Sequence, residues 1–328
     1  MISEHVDLGL ARYSDWAFTS SIVVLVVALL LLAVELAYSR SRKVSERELV
    51  AAGAGSTVAA DSATPGVVQK AQGRSVDERV GRAGLALTYL GIALLLACIV
   101  LRGLSTSRVP WGNMYEFINL TSLCGLLAAA VVLRKPQYRA LWVFVLVPVL
   151  ILLTVSGRWL YSHAAPVMPA LQSYWLPIHV SIVSLGSGVF LVAGVASILF
   201  LLKMSRFGAA DAEGFLPGIV SRLPDAQTLD RIAYRTTIFA FPVFGFGVIF
   251  GAIWAEEAWG RYWGWDPKET VSFIAWVVYA AYLHARSTAG WRDRKAAWIN
   301  VVGFVAMVFN LFFINLVTVG LHSYAGVG

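Results

Sequence analysis

Four of the twelve tryptophans in this 328-residue chain fall within residues 254–265. The flat side chains that could form a binding platform are those of Trp254, Trp259, Tyr262, Trp263 and Trp265. Gly260 and Gly264, lying between them, are expected to let a large group approach the backbone. This density of rings favours a planar ligand. An aromatic belt at a membrane–water interface is the alternative that these residue types leave open.

Charged residues follow the aromatic rings. Arg261 and Lys268 have the charge needed to neutralise carboxylates of a ligand, although solvated loop charges or contacts to lipid phosphates explain them equally well. Asp266, Pro267 and Glu269 have the spacing of a helix start, with Asp as the N-cap and Glu as its capping-box partner. The sequence therefore predicts that a helix begins where the aromatic cluster ends.

Histidines supply the metal-binding chemistry of the chain. Neutral imidazole is a good iron ligand, and two imidazoles from different helices can hold a flat macrocycle between them. His179 and His322 are the candidates for such a pair around a haem, with the tryptophans excluding water from it. Each histidine alone is also explained as an interfacial residue, and His163 and His5 leave the choice of pair open.

The elements that position these residues are membrane helices. The chain is 58% hydrophobic and only 14% charged, with a mean hydropathy of +0.71, which does not suit a soluble domain. Eight apolar runs approach the ~20 residues that cross a bilayer. They lie at about 19–38, 83–101, 113–133, 140–155, 175–202, 234–254, 270–289 and 298–318. The predicted fold is an all-α polytopic membrane protein with about eight transmembrane helices.

The distribution of positive charge gives the orientation. With the N-terminus outside, segments 39–82, 134–139, 203–235 and 286–297 are cytoplasmic and carry 20 of the 26 Lys and Arg residues. Both termini are then extracytoplasmic, and the Trp-rich loop between helices 6 and 7 is external. We expect three regions: a tail and first helix at 1–38, a flexible cytoplasmic loop at 39–82, and a seven-helix domain at 83–328.

Counting helices places His179 and His322 on the same side of the membrane as the Trp-rich loop. His284, near the other end of the seventh helix, is predicted on the inner side. It is either a second, inner ligand position or an interfacial partner of Arg286. Two ligand positions on opposite sides would suggest that the ligand crosses the membrane.

The run from Trp259 to Thr270 resembles the WWD signature of haem-handling membrane proteins. It is most similar to the CcsA/ResC family of System II cytochrome c biogenesis, whose members are sometimes called CcsB. Further matches are Trp-Leu-Pro-Ile-His-Val around His179, Leu-His-Ser-Tyr around His322, and the Pro-x-x-Asn-x-Tyr-Glu run that starts at Pro110. The resemblance covers about residue 109 to the C-terminus.

This resemblance implies roles for individual residues. His179 and His322 would be axial ligands of haem b, which is bound as a substrate, and residues 254–266 would form its platform. His284 would accept haem on the inner side.

The resemblance also implies a reaction and partners. The chain would be the integral-membrane subunit of a lyase-type holocytochrome c synthase in the plasma membrane. It would work with a CcsB/ResB-type subunit, thiol-reducing proteins and apocytochrome c, whose Cys-x-x-Cys-His motif receives haem on the extracytoplasmic face. Membrane lipid surrounds it, and no nucleic acid is expected.

Three alternatives remain. A haem exporter that loads a haem chaperone would use the same site. A small-solute transporter would use the aromatic residues as a belt and the histidines as proton relays. An electron-transfer cytochrome b would place facing histidine pairs inside the bilayer, whereas the strongest pair here is predicted at one rim.

Overall fold

The computed structural model describes residues 6–53, 76–168, 171–209, 211–318 and 320–322. Within these ranges the chain folds into α-helices, and no strand is present. The helices are α1 (Leu8–Gly53), α2 (Val76–Thr106), α3 (Met114–Val132), α4 (Leu141–Trp159), α5 (Trp175–Lys203), α6 (Phe215–Val220), α7 (Ala226–Trp259), α8 (Pro267–Ser287) and α9 (Arg294–Leu316). The predicted all-α membrane fold is confirmed.

Seven of these helices are long and apolar enough to cross a membrane, against the eight that were predicted. The exception is α8, which has 21 residues but is not apolar enough by this measure. Lys268, Glu269, His284 and Arg286 lie near its two ends and lower its hydropathy. The helix nevertheless packs along α9 and against α7 as part of the same bundle.

The predicted loop 39–82 is helical at both ends, since α1 continues to Gly53 and α2 begins at Val76. The centre of this loop lies outside the described residues. Helices α1 and α2 pack along each other, and Gly84 and Gly91 allow close approach to Leu32 and Leu25 of α1. This pair forms one side of the bundle.

Helix α5 is the most buried of the candidate membrane helices and contacts α3, α7 and α9. Small residues permit this packing: Gly125 of α3 meets Gly188 of α5, and Gly186 of α5 meets the backbone of Phe244 in α7. Close backbone contact through small residues is typical of helices packed in membranes. As a result, α5 presents side chains to helices on several sides.

Helix polarity brings the start of α5, the end of α7, the start of α8 and the segment after α9 to one end of the bundle, here called the histidine end. Helix α7 stops at Gly260, whose φ of 70° is the left-handed conformation that glycine adopts readily. Helix α8 begins at Asp266 with the predicted capping box, in which Asp266 and Glu269 accept each other's backbone N–H groups. The loop between them carries the remaining aromatic residues.

Candidate functional site

A cavity of about 320 Å³ opens at the histidine end, between helices α3, α4, α5, α7, α8 and α9. Its walls are mostly apolar. Two imidazoles, His179 and His322, line it together with the aromatic residues Trp254, Trp259, Tyr262 and Trp263. A concave apolar space with a few convergent polar groups is the usual form of a ligand site.

His179 lies in the first turns of α5 and faces α7. Its Nδ1 is 2.8 Å from the carbonyl oxygen of Gly247, and its ring stacks on Trp254 with centroids 6.1 Å apart and planes 10° apart. Gly251, one turn further along α7, makes room for the ring, because a Cβ there would be 2.6 Å from Cε1 of His179. The position of this imidazole therefore depends on two glycines of the neighbouring helix.

His322 follows α9 and is held by the start of α8. Its Nδ1 is 2.8 Å from Oδ1 of Asp266, and the other oxygen of that carboxylate accepts the backbone N–H of Leu321 at 2.7 Å. The ring meets Trp254 and Trp259 edge-on, with centroid distances of 6.1 and 5.2 Å. Asp266 thus caps a helix and orients an imidazole at the same time.

Both imidazoles are held through the same nitrogen. A carbonyl and a carboxylate can only accept hydrogen bonds, so the neutral form of each ring carries its proton on Nδ1. The lone pair is then on Nε2, the atom suited to bind a metal. Metal-binding histidines commonly donate their other N–H to a carbonyl or carboxylate in this way.

The electrostatics around His322 favour this neutral form. Burial lowers the pKa of His322 below its usual value, although the hydrogen bond to Asp266 acts in the opposite direction. Burial also disfavours ionised Asp266, but hydrogen bonds from His322, Leu321 and Lys268 outweigh it and lower the pKa of Asp266 to about 2. Near pH 7 the pair is therefore a neutral imidazole bonded to a carboxylate.

Three of the residues predicted for the platform lie outside the cavity lining. Trp265 is 70% exposed, and its ring contacts Trp263 rather than the cavity. Arg261 lies near Trp259 and pairs with Glu269 at 3.6 Å, while Asp266 acts through His322. The expected room at Gly264 is also absent, because the guanidinium of Arg261 occupies that space.

The remaining histidines are not at the cavity. His284 is exposed near the end of α8, roughly 25 Å along the helix from Pro267. Arg286 does not pair with it but with Asp230 at 2.6 Å. His163 is exposed in the loop after α4, and His5 lies outside the described residues. Any role of His284 would therefore be separate from this cavity.

Sequence reasoning missed a group of charges beside the site, here called the Glu116 cluster, which consists of the buried Arg102 and Glu116 and the partly exposed Arg108. In the sequence, Glu116 stood out only as the last residue of the Pro-x-x-Asn-x-Tyr-Glu run. Its carboxylate in fact accepts from Arg102 Nε at 3.1 Å and from Arg108 at 3.0 and 3.2 Å, as well as from the backbone N–H of Gly112. Arg102 and Arg108 precede Glu116 in the sequence, but their spacing gave no sign that Arg102 and Glu116 are buried together.

Lys268 also has a more central position than was predicted. Its side chain lines the cavity together with both imidazoles, and its Nζ lies 5.4 Å from the centre of the Phe117 ring. Asp266 and Glu269 flank it on the same helical turn. Among the described residues, Lys268 is the one Lys or Arg side chain in the cavity wall.

Comparison with known proteins agrees with this architecture. A family model described as cytochrome C assembly protein matches residues 111–322. The chain is 34% identical over 258 residues to a cytochrome c biogenesis protein CcsA of Guillardia theta, covering 72% of this chain and 85% of that one. A CcsA protein of Rippkaea orientalis is 33% identical over 309 residues, covering 77% and 89%.

A solved structure, the cytochrome c haem lyase CcmF, superposes with a TM-score of 0.60 at 18% sequence identity. The match covers 92% of this chain but 46% of the lyase, so the chain spans about half of that protein's length. At this identity the likeness concerns the fold. Taken with the family match, which includes both cavity histidines, it leads to one conclusion: the chain belongs to the cytochrome c assembly protein family.

Proposed function

We propose that this chain binds haem in the cavity, with His179 and His322 as axial ligands. The observation that carries the proposal is the shared cavity wall, on which both imidazoles are held through Nδ1 and therefore direct their basicity to Nε2. Two such ligands, one from α5 and one from the segment after α9, suit a macrocycle that is bound on both faces. Haem is here the cargo and substrate of the protein.

The rest of the cavity has properties that suit haem. Trp254, Trp259 and Trp263 provide apolar surface near the imidazoles and limit access of water. Haem also carries two carboxylates, and the ammonium of Lys268 is the partner we assign to one of them. Arg261 is assigned an indirect role, because it already pairs with Glu269 and lies near Trp259.

The reaction that we propose is attachment of haem to apocytochrome c on the extracytoplasmic face. Each thiol of a Cys-x-x-Cys-His motif adds across one vinyl group, so that a carbon–sulfur bond forms and the thiol hydrogen passes to the other vinyl carbon. The protein supplies binding and orientation, while the reactive groups belong to haem and substrate. Replacement of one axial histidine by the substrate histidine would complete delivery.

The synthase role includes partners. We propose that a CcsB/ResB-type subunit with an extracytoplasmic domain and thiol-reducing proteins act with this chain in the plasma membrane. His284 is retained as a proposed inner haem position, separate from the cavity by the length of α8. Within this scheme the chain is one subunit of a lyase-type enzyme.

The test is formation of covalent cytochrome c in cells that lack the native gene and express a variant of the chain. His179→Gly and His322→Gly should abolish covalent haem attachment, and imidazole in the growth medium should restore part of it by filling the vacated ligand position. His163→Gly is the matched control, since this exposed histidine lies outside the cavity.

The proposal fails if cells without the chain still make covalent cytochrome c, or if both glycine variants make it at the wild-type level. In either case the small-solute transporter becomes the better hypothesis. Failure of imidazole to rescue both variants, with normal amounts of protein in the membrane, would remove the axial-ligand roles from the proposal.

A further inference from the structure

We propose that haem reaches the two imidazoles sideways from the lipid bilayer, through an opening between α4 and α9 that is here called the lateral portal. This inference rests on the proposed function, because it assigns the route to the same site. The portal is defined by Ile151 of α4 and Val308 of α9, which line the cavity and are both exposed.

The cavity extends from the histidine end to about the middle of the bundle. Along α5 its lining runs from His179 to Leu191, a distance of roughly 18 Å. The other helices reach the same depth with Pro148 of α4, Phe244 of α7 and Phe304 of α9. Compared with a hydrocarbon core of about 30 Å, the cavity therefore covers the outer part of the membrane only.

Aromatic packing closes the floor of the cavity. Phe190 stacks on Tyr279 with ring centroids 3.6 Å apart and contacts Phe244 edge-on at 5.9 Å. All three side chains are almost fully buried, and a Cβ at Gly303 would already be 2.9 Å from the Tyr279 ring. A flat macrocycle cannot pass this layer without displacing several packed rings. Among the described residues, His284 at the inner end of α8 does not line the cavity.

The wall of the cavity between α4 and α9 is less tightly packed than the floor. Ile151 is 56% exposed and Val308 is 38% exposed, although both belong to the cavity wall. Helices α4 and α9 are not among the closely packed pairs of the described bundle, whereas α9 packs on α8 and α5. The space between α4 and α9 therefore joins the cavity to the surface that faces lipid tails.

The chemistry of this opening selects an apolar ligand. Around the portal the lining is formed by Pro148, Leu152, Met307 and Leu311. A hydrated solute would lose its water there without gaining hydrogen bonds, which is costly. A macrocycle dissolved in the bilayer would exchange one apolar surrounding for another. It would meet the imidazoles and Lys268 only at the histidine end of the cavity.

The experiment uses the full chain, purified in detergent, freed of haem and placed in lipid nanodiscs. Vesicles preloaded with haem b are mixed with the nanodiscs, and formation of the six-coordinate absorption spectrum is followed in time. Ile151→Trp and Val308→Trp should slow this step about tenfold by narrowing the portal. Large apolar side chains facing lipid should leave folding intact. Val147→Trp and Val305→Trp are matched controls on the same helices, because both residues are exposed but do not line the cavity.

The portal is contradicted if the Ile151 and Val308 variants load as fast as wild type, or if the control variants are slowed to the same extent. A Phe190→Ala variant adds a second readout. If haem passed through the floor, opening it should speed loading, whereas the lateral route predicts an unchanged rate. If wild type takes up no haem from vesicles or from detergent solution, the proposed function itself fails, and the portal with it.

Discussion

Two groups of polar side chains lie at the histidine end of the bundle, and they differ in what they face. In the Glu116 cluster, opposite charges face each other directly, and the carboxylate of Glu116 has several donors around it. At the cavity, Nδ1 of His179 and Nδ1 of His322 each contact a hydrogen-bond acceptor, and both rings line an open space. The first group consists of opposite charges that face each other, and the second faces a cavity.

We therefore expect the two groups to have different roles, one in the stability of the fold and the other in ligand binding. A buried charge that loses its partner is destabilising because its hydration is not recovered, so the Glu116 cluster should matter mainly for folding. An imidazole held by Gly247 or Asp266 and directed into a cavity should matter mainly for what enters the cavity. The two groups are connected through the loop before α3, where Trp111 donates to Ser181 of α5 at 2.7 Å.

The largest effect is expected when the Glu116 cluster is broken. Glu116→Ala removes the carboxylate 3.1 Å from Arg102, which is 1% exposed, and leaves it the more distant Asp15 at 3.9 Å, so it should cost about 3–5 kcal/mol of folding free energy. Thermal unfolding in detergent measures this loss of stability. Added imidazole should not restore covalent haem attachment. Glu78→Ala, which breaks the exposed pair with Arg82, is the control and should change stability by less than about 1 kcal/mol. Equal melting temperatures for the two variants would refute this view of the cluster.

The second-largest effect is expected from a substitution that displaces the ring of His179 and leaves the histidine itself in place. Gly251→Ala places a methyl group 2.6 Å from the ring of His179, so the ring must move away from its position on α7. A misplacement of about 1 Å can cost about 100-fold, and haem affinity should fall by this order. Titration of haem into the purified chain measures it. Wild-type affinity in this variant would show that the described position of His179 is not the binding position.

A smaller effect is expected from the residue that orients His322. Asp266→Asn keeps a good N-cap for α8 but removes the anionic acceptor from Nδ1, and should lower haem affinity by about 10-fold or somewhat more. Asp225→Asn is the matched control, because it makes the same exchange at the N-cap of α7, outside the cavity lining. If both variants bind haem as wild type does, Asp266 is a helix cap and nothing more.

The smallest effect is expected at the exposed end of the aromatic loop. Trp265→Ala should leave haem affinity unchanged, since this ring is 70% exposed and outside the cavity, whereas Trp254→Ala should weaken binding. The same titration compares them. Equal losses in the two variants would return Trp265 to the binding platform and favour the sequence-based prediction over the cavity described here.

The sequence predicted the helical membrane fold and the meeting of His179, His322 and the Trp-rich loop, because helix number alone decides which ends lie together. It also predicted the helix start at Asp266 from the capping-box spacing. It did not predict the contact between Asp266 and His322 or the burial of Arg102 and Glu116. Those depend on how helices pack sideways, and a single sequence carries little information about neighbours that are distant along the chain.

One predicted membrane helix is more polar than the others. The apolar run at 270–289 was predicted as a membrane helix, and α8 forms there but carries too many polar side chains to meet the same hydropathy as the other seven. Lys268, at the start of this helix, belongs to the cavity wall. Part of the polarity of α8 therefore lies at the candidate site.

The most direct test of the central claim is the electron paramagnetic resonance spectrum of the oxidised, haem-loaded, purified chain. The account predicts a low-spin spectrum with two imidazole ligands for wild type. His179→Gly and His322→Gly should each lose that signal, and added imidazole should restore it. A wild-type spectrum that is high-spin, or one that is low-spin and unchanged in both variants, would contradict axial ligation by His179 and His322.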